Sequence, residues 1–159
     1  MDRTYPEYFK LTSPDFSDGG EIPRECGYKN GNNRPYLKWE MPMRMWEQNP
    51  KSFALIMDDP DAMEAVGKVW VHWVVWNIPP ECDRLVPSLL VEGTEGTTDF
   101  GEVGYGGPAP PDKRHTYVFK LYALELELDL PNESTKADVE KAMDGIIIGQ
   151  GTLTGTYAP

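Results

Sequence analysis

His72 and His115 are the only histidines in the chain, and histidine alone has an ordinary pKa close to neutrality. Each stands beside unusual loop chemistry. His72 lies just inside the apolar run 69–78, which follows the acidic knot Asp58-Asp59-Pro60-Asp61. His115 follows the loop Gly104-Tyr105-Gly106-Gly107-Pro108-Ala109-Pro110-Pro111 and opens the run 115–124. His115 and Tyr117 are two apart, so on a strand the imidazole and the phenol point the same way, ~7 Å apart. The glycine run permits close backbone approach and can offer N–H donors to an anion. Asp59 or Asp61 is placed to hold a neighbouring imidazole in one tautomer and to favour its protonated form. Together these groups suit a phosphate or a carboxylate.

Plainer readings stand beside that one. A histidine in an apolar strand also fits a hydrogen-bonded core residue. Asp and Pro are favoured in turns, so the acidic knot also fits a turn. The glycine loop also fits a simple connection, and Trp70 with Trp76 fits core packing. The functional reading rests on coincidence, since both histidines, the knot and the loop all fall at strand ends. Other chemistries have less support. Two histidines and a carboxylate suit zinc, but no His-x-x-x-His pair is present. The sequence has no Gly-x-Ser-x-Gly elbow for a serine hydrolase and no local signature for Cys82 as a nucleophile. The glycine loop precedes a strand, so it is not a dinucleotide or Walker-type fingerprint.

The elements that must position these groups are mostly strands. Pro60 has no N–H for a ladder, so the strand over 52–57 ends at the acidic knot. The run 69–78 is rich in Val and Trp and reads as a central strand covered on both faces. Strict alternation puts Trp70, His72, Val74, Trp76 and Ile78 on one face. On the run 115–124 it puts His115, Tyr117, Phe119, Leu121 and Ala123 together. Shorter strands are expected over 9–12, 36–39 and 153–157, with 125–130 as an exposed continuation and 41–51 as a connection. One helix is expected, capped by Thr135 with Asp138 as the box partner. Its stripe is Val139, Ala142, Met143, Ile146 and Ile147, and Gly149 is its stop. The sum is a mainly β, antiparallel sandwich with a late helix, forming a single domain over 1–159.

Charge narrows the partners. Lys and Arg number 15 against 26 Asp and Glu, a net charge of -11. That field repels polyphosphate and argues against nucleic acid and against broad docking on anionic membranes. It leaves room for one small phosphate-bearing ligand in a locally positive pocket. No apolar run approaches the ~20 residues of a membrane span, and the N-terminus has no signal-like pattern, so a cytoplasmic protein is expected. Cys26 and Cys82 are expected reduced and unpaired.

Two motif blocks carry a family resemblance. The first is Ala54-Leu55-Ile56-Met57-Asp58-Asp59-Pro60-Asp61-Ala62, followed by Trp70-Val71-His72-Trp73. The second is Gly104 to Pro111, followed by His115-Thr116-Tyr117-Val118-Phe119. Weaker similarity extends over nearly the whole chain. On these residues the sequence resembles the phosphatidylethanolamine-binding protein family, in its compact bacterial and archaeal branch. The resemblance implies a β-sandwich with an anion pocket at one end, for phosphate-type head groups. By motif position it implies pocket roles for Asp59, Asp61, Trp70, His72, Gly107, Pro111, His115 and Tyr117. It also implies possible inhibition of a serine protease, modulation of a kinase, and a homodimer. Three departures stand out. Met63 replaces a family proline, Thr116 replaces a family arginine, so that a salt bridge bracing the pocket is either missing or supplied by Arg114, and Asn32-Asn33-Arg34-Pro35 replaces Asn-x-Ser-Pro.

The expectation is therefore a non-catalytic protein with no cofactor. It binds phosphate, a phosphomonoester or a phospholipid head group through His72, His115, Tyr117 and loop amides, with Asp59 orienting His72. The alternatives are a protein-interaction module acting on a protease or kinase, and a small hydrolase or metal-dependent enzyme using the same pocket.

Overall fold

The computed structural model describes residues 7–159. Its first half contains β1 (Glu7–Tyr8), β2 (Lys10–Thr12), β3 (Gly20–Glu21), β4 (Leu37–Glu40), α1 (Met43–Trp46) and β5 (Ser52–Asp59). There follow α2 (Ala62–Val66), β6 (Trp70–Ile78), β7 (Arg84–Leu85), β8 (Thr94–Glu95), β9 (His115–Leu124), α3 (Lys136–Met143) and β10 (Ile147–Tyr157). The long strands form one sheet in the order β1-β10-β9-β5-β6-β8, and β3 also pairs with β10. A second sheet has the order β2-β4-β7. All long strands pair antiparallel, while the short β1 and β3 run parallel to β10. The expected sandwich is present, with two short parallel additions at its margin.

β5 lies at the middle of the large sheet and is buried on both faces. Phe53, Leu55 and Met57 meet Leu11, Leu37 and Trp39 of the small sheet. Ala54 and Ile56 pack on the opposite side with Val74, Trp76 and Tyr122, under Leu128, Val139 and Met143. A sheet covered on both sides needs near-continuous apolar strands, which accounts for the run 53–57. Each fully buried large side chain contributes ~1.5–3 kcal/mol relative to exposure.

Strict alternation along β6 does not hold. The register against β5 shifts between Phe53 and Leu55 and again between Met57 and Asp58. Val74 and Trp76 face α3, but Ile78 faces the small sheet. Asn77, at φ 54, takes up the extra residue, and its side chain exchanges two hydrogen bonds with the Leu128 backbone at 2.7 and 2.9 Å. At the other shift, His72 is the extra residue. It falls between the paired positions Val71 and Trp73, and its ring packs on Tyr117 on the side of the small sheet. A bulge re-aims side chains in this way.

The C-terminal part differs from the expected pattern. Thr135 caps α3 with the full reciprocal box to Asp138, a feature worth about 1 kcal/mol. The helix stops at Met143, however, because Asp144 leaves helical geometry and Gly145 turns left-handed at φ 81. Ile146 and Ile147 still pack on the second core, but as the approach to β10. Gly149 is therefore a strand residue. A Cβ there would meet Met45 Sδ at 2.6 Å and the Glu7 carbonyl oxygen at 2.8 Å. Residues 125–130 form no strand. Leu128 turns inward and covers the second core.

Candidate functional site

The sheet order places the C-terminal end of β5 between the first residues of β6 and of β9. Asp59 lies opposite Trp70, and Asp58 lies opposite Val118. Three strand ends and the loop before β9 thus enclose a cavity of about 140 Å³. Its walls are Asp59, Trp70, His72, Phe100, Ala109, Pro111, His115 and Tyr117, with Ala62, Ala65 and Val66 of α2. Polar groups are few and most of the lining is apolar, as is usual for a small-molecule site.

The acidic knot splits its three carboxylates among different tasks. Asp58 pairs with Lys136 Nζ of α3 at 2.7 Å, on the opposite face. Asp59 is buried, and its Oδ2 lies 2.6 Å from His115 Nδ1. Its Oδ1 accepts the Asp61 N–H at 3.0 Å. The Asp61 side chain accepts the Thr116 N–H at 2.8 Å. Asp61 therefore fastens the start of α2 to β9 and does not line the cavity.

The two histidines differ in charge. His72 is buried, and its Nδ1–H donates to the Gly106 carbonyl at 2.6 Å. Burial lowers its pKa, and the Gly106 carbonyl and the charge of Asp59 offset this only in part. It is a neutral imidazole with Nε2 as acceptor. Its ring stands edge-on to Tyr117 and Phe100, with centroids 5.1 and 5.4 Å away. His115 is buried too, but its Nδ1 meets Asp59, and its Nε2 meets Asp112 Oδ1 at 2.7 Å. Burial opposes its charged form, yet the two carboxylates outweigh burial and raise its pKa. Each ring nitrogen faces a carboxylate oxygen, an arrangement that favours the doubly protonated ring with both N–H groups donating. Asp59 thus orients His115, not His72 as expected. β9 lies beside β5 and brings His115 to Asp59, while the Gly106 carbonyl takes the His72 N–H.

Two donors of lining residues are buried without a settled bond. The Tyr117 hydroxyl is buried near Asp59 and the Ala109 backbone but forms no well-aligned hydrogen bond with either. Its pKa is raised, first by burial and then by the charge of Asp59. Trp70 Nε1 is also buried without a partner.

The glycine loop does not offer its amides to the cavity. The Gly107 N–H donates to Asn32 Oδ1 at 2.7 Å, and the Gly106 N–H donates to the His72 carbonyl at 2.8 Å. Gly107 is glycine for another reason, since a Cβ there would stand 1.9 Å from the Cys26 carbonyl oxygen. The loop is pinned against residues 26–32, and the Gly106 and Gly107 amides are not available to hold an anion. Arg114 reaches Glu21 and Thr156, each at 3.2 Å, and braces the strand margin instead of the pocket. Met63 is exposed on α2, outside the cavity lining. Cys26 and Cys82 are unpaired. Burial first, with help from Glu92, pushes the Cys82 thiol up to about 12, leaving it a poor nucleophile. Among the described residues no cluster of three or more His, Cys, Asp or Glu is arranged to hold a metal.

Comparison with known proteins decides the family. The model of the phosphatidylethanolamine-binding protein family matches residues 12–158. The chain belongs to the phosphatidylethanolamine-binding protein family. A UPF0098 protein of Methanothermobacter thermautotrophicus is 43% identical over 149 residues, covering 89% of this chain and 93% of that protein. A crystal structure of a phosphatidylethanolamine-binding protein homologue from Chlamydia trachomatis, CT736, is similar at a TM-score of 0.85 and 35% identity. The match covers 95% of this chain and 97% of that one. E. coli YbcL, described as a member of the mammalian family, is similar at a TM-score of 0.81 and 31% identity, over 94% and 97% of the two chains. Within this phosphatidylethanolamine-binding protein fold, the cavity brings together Asp59, Trp70, His72, Pro111, His115 and Tyr117 from the expected set. Asp61 and Gly107 support it from outside the lining.

Sequence reasoning missed Asp112, Phe100 and Asn32. Asp112 had one signal, its place three residues before His115. Phe100 and Asn32 had none, because their partners lie far away in sequence.

Proposed function

We propose that this phosphatidylethanolamine-binding protein family member binds a small phosphate-type anion in the cavity at the end of β5, β6 and β9. Inorganic phosphate, a phosphomonoester and a phospholipid head group share the chemistry. The observation that carries the reading is His115, a buried ring whose protonated form is favoured by two carboxylates, beside a buried Tyr117 hydroxyl with no settled partner. An anion with several oxygens that displaces the exposed Asp112 takes both His115 Nε2 and the Tyr117 hydroxyl, which favours a phosphate-type ligand. His72 adds shape, not charge. The reading is of non-catalytic binding, and it fits a lining without serine, threonine or cysteine side chains.

A head-group pocket needs no membrane insertion. Among the described residues no helix is long and apolar enough to cross a membrane, and the net charge of -11 opposes adsorption to an anionic bilayer. NMR titration with phosphate and then phosphoethanolamine tests the reading. Saturable shifts centred on Asp59, His72, His115 and Tyr117 are expected, and they should vanish in His115→Ala. No saturation in the millimolar range in the intact protein overturns it.

A further inference from the structure

His115 is held by two carboxylates of different kinds. Asp59 is fixed, with a side chain 4% exposed and its second oxygen bound to the Asp61 N–H. Asp112 is 40% exposed and stands on the exposed turn 111–114. Nδ1 is committed to Asp59, so Nε2 is the one ring nitrogen an incoming anion can take, and Asp112 already occupies it at 2.7 Å.

The groups facing His115 are Asp59 from β5, Asp112 from the preceding loop and Tyr117 from β9, whose ring lies 6.3 Å away. His72 of β6 reaches it only through Tyr117. His115 thus faces one carboxylate in the cavity wall, Asp59, and one on the exposed turn beside it, Asp112. A free anion therefore enters only by exchange with Asp112.

Resting on the anion-binding reading above, we infer that Asp112 is the specificity-determining residue of the pocket. It is a tethered carboxylate that holds the anion position on His115 Nε2 and yields only to ligands that bond more widely than it does. A side chain on a short tether competes at an effective concentration of millimolar order or more. A lone carboxylate from solution offers Nε2 nothing that Asp112 lacks, so it loses. A phosphate-type anion gives one oxygen to Nε2 and another to the Tyr117 hydroxyl, which is buried and poorly satisfied. Asp112 then swings into water at a turn that is already exposed. Selectivity comes from an internal repulsive element as much as from attraction.

Acetate and inorganic phosphate are titrated separately into wild type, Asp112→Asn and Asp112→Ala, at pH 6 and fixed ionic strength. Backbone amides and the His115 ring resonances are followed by NMR. Acetate binding should strengthen at least about tenfold in both variants, and phosphate binding should strengthen less. The preference for phosphate over acetate then collapses. Equal affinities in all three proteins, or weaker phosphate binding in both variants, overturn the role of Asp112 and leave the anion pocket standing. Saturation by neither anion in any of the three overturns both readings. The ring titration gives a second check. The wild-type His115 should stay protonated to higher pH than in either variant, and an unchanged ring pKa overturns the role of Asp112.

Discussion

Tyr117 separates binding from stability at the level of one atom. Its hydroxyl is buried but makes no well-aligned hydrogen bond. Tyr117→Phe therefore removes an unsatisfied group and should leave the urea midpoint unchanged or slightly raised. The same change should weaken phosphate binding by ~1.5–3 kcal/mol, the usual worth of a hydrogen bond to a charged group. Loss of stability with intact binding would contradict both halves. The histidines make a second prediction, because their shifts oppose each other. His115 is raised in the fold, so its contribution is complete below the unfolded pKa of ~6.5 and is lost as pH rises through the folded value. His72 is lowered. As pH falls below ~6.5 the unfolded chain takes up a proton that the fold resists, and stability drops. Denaturation midpoints across the histidine range should peak near pH ~6.5. In His115→Asn the decline on the alkaline side should disappear. A monotonic profile in the wild type would refute the assignment. Residue types at strand ends made His72, His115, Tyr117 and Asp59 legible in the sequence. The pairing among them was not. Asp59 lies nearer to His72 along the chain, but the partner is set by which strand lies beside β5, and that is β9.

At the scale of elements, periodicity found the long strands and failed where one residue broke the period. Asn77 carries the bulge that sends Ile78 to the face opposite Trp76, and its one signal is an asparagine, a type that tolerates left-handed backbone, inside an apolar run. Asn77→Ala loses both bonds to Leu128 and strains a left-handed backbone. A cost of ~1–3 kcal/mol is expected in chemical denaturation, mainly from leaving the Leu128 backbone unsatisfied. The helix was legible at its start, where the capping box is local. Its end was not, because Ile146 and Ile147 keep the helical spacing while packing from a different conformation. Gly149 gives the matching test. Gly149→Ala forces a methyl group against the Glu7 carbonyl oxygen and Met45, a backbone contact that cannot simply swing away. Overpacking of this kind costs ~1–3 kcal/mol, and a neutral midpoint would show that β1 can move off β10.

The whole molecule carries its charge as a diffuse negative surface, with ion pairs such as Arg44–Glu7 and Lys113–Glu64 largely exposed. Exposed pairs contribute little individually, while like-charge repulsion acts across the surface and is screened over ~10 Å at 0.1 M salt. The thermal midpoint should therefore rise between low and moderate sodium chloride. A fall would mean that the ion pairs outweigh the repulsion. The order of synthesis adds a consequence of the strand pairing. β10 follows every other described element in chain order, yet it is the partner of β9, β1 and β3. Glu7 waits for Gly149, and Gly20 waits for Gly155. A chain emerging from the ribosome presents β9 as an open edge, with β1 and β3 unattached, until residues 147–157 have emerged. A chain stalled before Ile147 keeps that edge open and is a template for aggregation.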